Sequence, residues 1–336
     1  MIPNTAVAFT RSLPATDPAA LVDVVLDAPP PGPHDLVVDV RAVAVNPVDV
    51  KVRLGGDPDG ERVLGFDASG IVRDVGRAVT LFQPGDEVWY AGDISRPGSN
   101  AALHLVDERI VGPKPTTLSF TEAAALPLTA ITAWESLFDK LRLTPDSSGT
   151  LLVVGATGGV GSIMLQIVEH LLPQVAVIAT ASRPEGEAWV RSLGADHVVN
   201  HRDDLAAGVG SIAPDGVDWI FTAHSEGMVE TFADLLRPFG AVVAIDDPSS
   251  LDVRAFKSKS LSWHWELMFT RPLQGGADQV RQHEILTEVA RLVDAGTFRS
   301  TITTTLTPID AAQLREAHRL VEDGHVIGKV VVARED

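Results

Sequence analysis

The chain has 336 residues, of which 45% are hydrophobic and 21% charged, so we expect a globular protein with a sizeable core and, at roughly 100–200 residues per domain, two domains. The formal net charge is −18, and so acidic a surface argues against nucleic acid as a partner. The sequence contains no cysteine, which excludes disulfides, thiolate zinc sites, iron–sulfur clusters and a cysteine nucleophile.

From its first residues we expect the chain to carry no targeting signal. Residues Met1 to Thr5 show no basic region followed by a long apolar one. No run of about 18 apolar residues occurs along the sequence. We therefore expect a cytoplasmic protein with no membrane partner.

The first 125 residues predict short strands separated by turns. Leu36–Val45 is rich in valine and apolar enough to be largely buried. Gly70–Gly76 and Asp86–Ala91 are shorter candidates, bounded by glycine or proline. This pattern is typical of a small irregular β-barrel or a sandwich, and both remain open.

A different pattern begins near residue 120. Ser119 stands three residues before Glu122, the spacing of a capping box, and a helical stretch follows to Leu141. Apolar strands then alternate with helical segments. The predicted strands are Leu151–Val154, Val175–Thr180, His197–Asn200, Val217–Phe221 and Gly240–Ile245, and the helical segments are Val160–Leu172, Glu185–Leu193 and Met228–Leu236. The alternation predicts an α/β fold with a parallel sheet covered on both faces.

The last part of the chain predicts two amphipathic helices and a strand. The helices are Gln282–Asp294, followed by Gly296, and Asp310–Asp323, followed by Gly324. The strand Lys329–Ala333 is far from the alternating block. We expect it to return to the first domain.

The strongest motif is the glycine-rich turn after the strand Leu151–Val154. Ala156, Gly158 and Gly161 occupy the three positions of a G-x-G-x-x-G pattern that opens a helix. Missing side chains let backbone N–H groups approach a pyrophosphate, and the helix N-terminus favours its negative charge. We predict a dinucleotide site here; the alternative is a purely structural turn.

The end of the next strand selects the dinucleotide. An acidic residue there would bind the ribose 2′-hydroxyl of NAD. This chain instead has Ser182 and Arg183, a hydroxyl and a guanidinium that suit a 2′-phosphate. The sequence therefore favours NADPH, unless Arg183 is only a solvated loop residue.

These motifs, with several others, resemble the medium-chain dehydrogenase/reductase superfamily. The match is to its zinc-independent, quinone-oxidoreductase-like branch, and to a subgroup often labelled zinc-type alcohol dehydrogenase-like. It rests on the following segments, in the family's order: Asn46–Lys51, Leu64–Val72, Pro84–Val88, Ala125–Trp134, Ser260–Arg271 and Gly328–Val332.

The resemblance implies a GroES-like β-rich catalytic domain and a Rossmann domain with a doubly wound parallel sheet. On this basis we assign residues 1–124 and 270–336 to the GroES-like domain and 125–269 to the Rossmann domain. The implied activity is an NADPH-dependent oxidoreductase acting on a small carbonyl or quinone substrate, and family habit suggests a homodimer.

Zinc does not fit this sequence. Zinc-dependent relatives use two cysteines and a histidine, and the histidine expected before Asp67 is replaced by Phe66. Among the ten histidines only His197 and His201 stand four residues apart, and they flank a predicted strand end rather than share a helical face. We predict no metal, although a zinc site of distant His, Asp and Glu residues stays open.

The sequence offers four candidate catalytic residues, each with a structural alternative. Asn46 could bond a substrate oxygen or sit in a turn, and Asp49 could orient the cleft or pair with Lys51 at a strand end. Tyr90 could donate to an oxyanion or pack in the core. Thr129 matches the family position that touches nicotinamide, or bonds its own helix.

The candidate cofactor residues lie on the glycine loop and at strand ends. The carboxyl ends of parallel strands line ligand crevices, although Asp246 could instead cap a turn and Lys329 could be a solvated strand start. The stretch around Trp263 and Phe269 could line a substrate pocket or form a dimerising edge strand. The full set is Thr129, Ala156, Thr157, Gly158, Gly159, Val160, Gly161, Ser182, Arg183, His201, Phe221, Thr222, Ile245, Asp246, Phe269 and Lys329.

Three functions follow from these observations. The first is an NADPH-dependent reductase of quinones or α,β-unsaturated carbonyls, which need no Lewis acid. The second is a protein that binds NADPH for a structural or regulatory purpose with little turnover. The third is a zinc-dependent alcohol dehydrogenase.

Overall fold

The structure, a computed structural model, describes residues 3–28 and 30–335. The chain divides into two compact units, which we call the terminal unit (Met1–Ile131 and Phe269–Asp336) and the central unit (Thr132–Met268). The domain limits inferred from the sequence stay predictions.

The strands of the described residues are numbered in chain order. They are β1 (Pro3–Phe9), β2 (Val22–Asp27), β3 (Asp35–Val45), β4 (Arg62–Val63), β5 (Ala68–Val75), β6 (Glu87–Tyr90), β7 (Leu103–Asp107), β8 (Val111–Pro113), β9 (Gly149–Val154), β10 (Val175–Thr180), β11 (His197–Val199), β12 (Val217–Thr222), β13 (Leu236–Ala244), β14 (Ser262–Trp265), β15 (Ile302–Leu306) and β16 (Lys329–Ala333).

The α-helices are numbered in the same way. They are α1 (Pro47–Leu54), α2 (Phe120–Ala123), α3 (Pro127–Trp134), α4 (Gly159–Leu171), α5 (Pro184–Arg191), α6 (Leu205–Ile212), α7 (Val229–Leu235), α8 (Thr270–Gln274), α9 (Arg281–Asp294) and α10 (Ala311–Glu322). A π-helical turn, Glu135–Lys140, continues α3. Within the described ranges no helix is both long and apolar enough to cross a membrane.

The central unit is built on one parallel six-stranded sheet. Its strand order is β11-β10-β9-β12-β13-β14. This is the doubly wound order, because β10 and β11 are added on one side of β9 and the later strands on the other side. Leu152, Ile178 and Val242 from the strands pack with Val209 and Phe232 from the helices in one core. The predicted α/β fold is confirmed and the structure adds α6, while the edge strand that the sequence offered around Trp263 is present as β14.

The terminal unit contains a three-stranded sheet, β2-β1-β4, and a seven-stranded one, β15-β16-β3-β5-β6-β8, in which β7 also pairs with β3. Strand β16 runs antiparallel to β3, with Val330 opposite Val45. The predicted return of the last strand to the first domain is therefore confirmed.

The structure corrects the expectation that Asp49 and Lys51 lie at a strand end. Pro47–Leu54 is helix α1, because Asn46 and Asp49 form a capping box and Pro47 occupies the first turn. The pairing of Asp49 with Lys51 at a strand end is therefore wrong. Asp49 instead points back to the helix start, and Lys51 is exposed.

Candidate functional site

The N-terminus of α1 places a carboxyl group inside the terminal unit. Asp49 accepts the backbone N–H of Asn46 at 2.8 Å and that of Gly65 at 3.0 Å. It is almost completely buried, and this burial raises the pKa of Asp49 to about 7, against the lowering effect of the two N–H donors. Asp49 therefore holds its proton more strongly than an exposed aspartate does.

A second carboxylate, Asp67, is bonded to a buried lysine. The ammonium of Lys329 donates to Asp67 at 3.0 Å and also to the side-chain oxygen of Asn46. The amide nitrogen of Asn46 donates to Asp67 at 2.9 Å, and the backbone N–H of Leu128 does so at 2.8 Å. We call Asn46, Asp49, Asp67 and Lys329 the buried polar cluster.

The sheet of the terminal unit brings this cluster together. Strand β3 ends just before Asn46, β5 begins just after Asp67, and β16 begins at Lys329. Both β5 and β16 pair with β3, so the three side chains meet at one end of neighbouring strands. Lys329 is only 4% exposed, which makes the alternative of a solvated strand start wrong.

The cluster carries one more acidic group than basic groups. Burial raises the pKa of Asp67, and Lys329 and the donors on it oppose that rise. One ammonium therefore compensates one of two buried carboxyl groups.

The position at which the resemblance expects a zinc-binding histidine holds an aromatic pair. Phe66 is buried and packs edge-to-face on Phe269, with the ring centroids 5.5 Å apart. Phe269, a candidate cofactor residue, therefore lies in the terminal unit against Phe66. No group of three His, Asp or Glu side chains in the described part of the chain is arranged to hold a metal ion.

The two remaining catalytic candidates are engaged inside the protein. Tyr90 is fully buried, its hydroxyl lies 3.1 Å from Nδ1 of His104, and the two rings stack. Burial raises the pKa of the Tyr90 phenol far above its usual range. Thr129 donates to the carbonyl of Leu126 at 3.0 Å. Both show the structural contacts that the sequence left open as alternatives, and their chemical roles stay predictions.

The glycine loop of the central unit has the geometry that a pyrophosphate needs. Gly155 adopts a φ of +85°, which turns the chain sharply after β9. A Cβ on Gly161 would lie 2.5 Å from the Cα of Ala156, so only glycine lets α4 start this close to the loop. Gly158 is the N-cap and has no side chain to cover the first N–H groups of α4.

The residues of this loop differ in their exposure to solvent. Thr157 to Val160 are partly accessible, whereas Ala156 and Gly161 are buried. The loop is fixed to the neighbouring strand, since the N–H of Gly155 donates to the Thr180 hydroxyl at 3.0 Å. The residues present thus fit a dinucleotide, whose pyrophosphate would lie on the accessible N–H groups.

The ends of β10 and β11 hold the residues expected near the ribose. Ser182 is partly exposed, and Arg183 is exposed and forms the N-cap position of α5. His201, also exposed, follows β11 by two residues. Glu185 lies in the first turn of α5, so the strand end itself carries no acidic side chain.

The ends of β12 and β13 are tied to each other. Asp246 accepts the N–H of Ser225 at 2.6 Å and its hydroxyl at 2.9 Å. The Thr222 hydroxyl donates to the carbonyl of His224 at 2.8 Å, and Phe221 is fully buried. Ile245 donates its N–H to the Thr222 carbonyl at 3.1 Å, so both strand ends are fixed at one edge of the sheet.

Asp67 and Ser225 were not among the sequence candidates. Asp67 had a signal, because a carboxylate in the apolar, glycine-bracketed segment Leu64–Val72 requires a buried partner. Ser225 had none beyond its place after β12. Its contact with Asp246 depends on the sheet order.

Comparison with known proteins gives two family matches and close relatives. The alcohol dehydrogenase GroES-like domain matches residues 32–121, and the zinc-binding dehydrogenase matches residues 193–332. A zinc-type alcohol dehydrogenase-like protein of Staphylococcus epidermidis is 37% identical over 97% of this chain and 98% of its own length.

Solved structures resemble the whole chain. A protein from Rhizobium etli, provisionally assigned as a zinc-dependent alcohol dehydrogenase, has a TM-score of 0.95 and 50% identity, over 99% of each chain. The Escherichia coli quinone oxidoreductase, solved with NADPH, has a TM-score of 0.82 over 98% of this chain and 99% of its own. At 22% identity, that second likeness is one of fold.

Proposed function

The chain is an oxidoreductase of the medium-chain dehydrogenase/reductase superfamily, in its quinone-oxidoreductase-like branch, and we propose that it reduces a quinone or an α,β-unsaturated carbonyl with NADPH and without a metal. The bound nicotinamide would supply the hydride. Electron-poor carbon accepts hydride readily, and a proton then completes the reduction.

The observation that carries the proposal is the buried polar cluster. Asp67 already has a cation, because Lys329 donates to it at 3.0 Å. Phe66, next to it, has no metal-binding atom and is packed on Phe269. A zinc ion would need ligands that this centre lacks and would be repelled by the ammonium. Reduction of a simple ketone benefits from a Lewis acid, so the acceptor we favour is one that does without it.

Within this proposal Asn46 and Asp49 are positioning residues. Both are almost completely buried and bonded to other protein groups. Asn46 connects Lys329 and Asp67, and Asp49 fixes the backbone of Asn46. They therefore act through the geometry of the cluster.

Steady-state oxidation of NADPH tests the reaction. We expect turnover with quinones and enones at a higher kcat/KM than with simple ketones of similar size. Elemental analysis should find far less than one zinc per chain, and a chelator should leave the rate unchanged. Stoichiometric zinc with chelator-sensitive alcohol oxidation would establish the zinc dehydrogenase instead, and tight NADPH binding with no turnover would establish a binding protein.

The cofactor preference rests on Ser182 and Arg183 at the end of β10. We expect Arg183→Ala to lower kcat/KM for NADPH by about 10- to 100-fold, the usual effect of losing a charge-assisted contact to phosphate, and to leave NADH almost unaffected. Arg191→Ala is the matched control, because Arg191 lies on the same helix and pairs with the exposed Glu187. Equal losses for both cofactors would refute the assignment.

We also propose that two copies pair through β14. This strand lies at the edge of the six-stranded sheet, with Trp265 and Leu267 about half exposed. An exposed edge with apolar side chains invites pairing with another chain. Light scattering should give a dimer mass, and Trp265→Lys should shift the population towards monomer; a monomer mass for the unmodified chain would exclude the pairing.

A further inference from the structure

Two strand ends in the central unit lie side by side where the ribose is proposed to bind. Strands β10 and β11 are parallel neighbours, with Thr180 opposite Val199. The N–H of Ala181 donates to the Val199 carbonyl at 3.0 Å, so the ladder extends one residue further. Ser182 and His201 each follow the last paired residue of their strand, Thr180 and Val199, by two positions.

Two cationic or titratable groups, Arg202 and His224, act directly on His201. Partial desolvation of the ring, together with repulsion by Arg202 and His224, lowers the pKa of His201. Further charged or titratable groups lie on the segments that adjoin it. These are Arg183, Glu185, Glu187 and Arg191 on or before α5, His197 and Asp196 around the start of β11, and Asp203 and Asp204 before α6.

Three of the acidic members of that set are held by partners of their own. Asp196 accepts the N–H of Val177, and Asp204 caps α6 by accepting the N–H of Ala207. Glu187 pairs with Arg191. An anion beside the imidazole of His201 would offset the repulsion by Arg202 and His224 and would favour the protonated ring.

We propose that His201 is a specificity-determining residue that takes up a proton when NADPH binds and takes up none when NADH binds. The inference rests on the proposed use of NADPH. A 2′-phosphate beside the imidazole stabilises the imidazolium, whereas the 2′-hydroxyl of NADH does not. Proton uptake coupled to binding means that affinity rises as the pH falls, so the preference for NADPH over NADH strengthens on acidification.

The expected size of the effect follows from linkage. A single coupled proton changes the dissociation constant by at most tenfold per pH unit. The phosphate itself has a second pKa near 6, so the useful window lies above that pH. We expect the ratio of the NADH and NADPH dissociation constants to rise about three- to tenfold between pH 8 and pH 6.5.

The test is calorimetric titration of the full chain with NADPH and with NADH. Running each titration in buffers of different ionisation enthalpy gives the number of protons taken up on binding. We expect net uptake with NADPH beyond that with NADH, and its loss in His201→Asn. His197→Asn is the matched control, an exposed histidine at the start of β11, and it should behave as the unmodified chain does.

A second variant separates charge from shape. His201→Lys carries a permanent charge, so it should keep a preference for NADPH that no longer varies with pH through this residue. The inference is overturned if the unmodified chain and His201→Asn show the same proton uptake and the same pH dependence. If the unmodified chain binds NADH as tightly as NADPH, the proposed cofactor itself fails, which is a distinguishable result.

Discussion

The contact between Lys329 and Asp67 gives the sharpest prediction on stability. Replacing Lys329 by Met keeps an unbranched chain and removes the ammonium. At 3.0 Å and an effective dielectric constant of about 20, the lost attraction to Asp67 is about 5.5 kcal/mol. Part of this is offset by the desolvation of the ammonium in the unmodified protein. We therefore expect Lys329→Met to lower the free energy of unfolding by about 3–5 kcal/mol.

The pH dependence of that loss has a definite sign. In Lys329→Met the pKa of Asp67 rises further, because burial already raises it and Lys329 no longer opposes the rise. An acid with a folded pKa above its unfolded pKa binds its proton more strongly in the folded state. The free energy of unfolding then falls as the pH rises between these two values, so the deficit of the variant should shrink towards pH 5.

Urea unfolding followed by circular dichroism measures the effect, and a second variant controls for packing. Asp67→Asn combined with Lys329→Met removes both charges, and the introduced amide is expected to keep an oxygen for the N–H of Leu128. The double variant should recover at least about 2 kcal/mol relative to Lys329→Met. A double variant no more stable than Lys329→Met, or a single-variant loss under about 1 kcal/mol, would refute the electrostatic account.

Three further predictions concern single residues. Asp49→Asn should flatten the pH dependence of the free energy of unfolding. The folded pKa of Asp49, about 7, lies above that of an unfolded aspartate, so its contribution to stability is present at low pH and is lost between about pH 4 and 7. Urea midpoints at pH 5 and 8 check this. Gly161→Ala should weaken NADPH binding and stability, since its Cβ has no room, whereas Gly210→Ala on α6 meets open space and should be neutral or stabilising by up to about 1 kcal/mol. Tyr90→Phe should leave kcat within about twofold and lower stability by about 1 kcal/mol, the value of one hydrogen bond; a kcat loss of a hundredfold would make the phenol a donor.

The segments predicted best are those whose local pattern and burial agree. Val175–Thr180 and Lys329–Ala333 are strands with the bounds expected from sequence, since runs of β-branched residues suit strands buried on both faces. The helix that begins near Ser119 was found from its capping box and the alanines that follow. At these positions the intrinsic propensity of the residues and their surroundings favour the same secondary structure.

Helix α1 was missed because the two signals disagree. Its sequence contains Val48, Val50 and Val52, and alternating valines favour a strand. The capping box of Asn46 and Asp49 decides the outcome, because it satisfies the first N–H groups of a helix. The same spacing that was recognised at Ser119 was present here, and the valines concealed it.

The two halves of the candidate site differ in how far a sequence can predict them. The glycine loop is a run of consecutive residues, so its geometry is readable from local spacing. The contact between Asp67 and Lys329 joins residues 262 positions apart and depends on β5 and β16 both pairing with β3. No local pattern encodes that register. A single sequence shows only that a buried carboxylate at Asp67 must have a partner.

The absence of cysteine and the presence of Lys329 both bear on how the charge of the buried Asp67 is balanced. A carboxylate buried at Asp67 needs a partner, and for zinc this chain has no thiolate and, in its described part, no group of three His, Asp or Glu side chains. Lys329 supplies the charge from within the fold, so the cluster forms whenever β16 joins β3. Restoring a histidine at Phe66 alone would therefore leave a competing ammonium in place. The metal-free function proposed above would depend on the cation that is present as well as on the ligands that are missing.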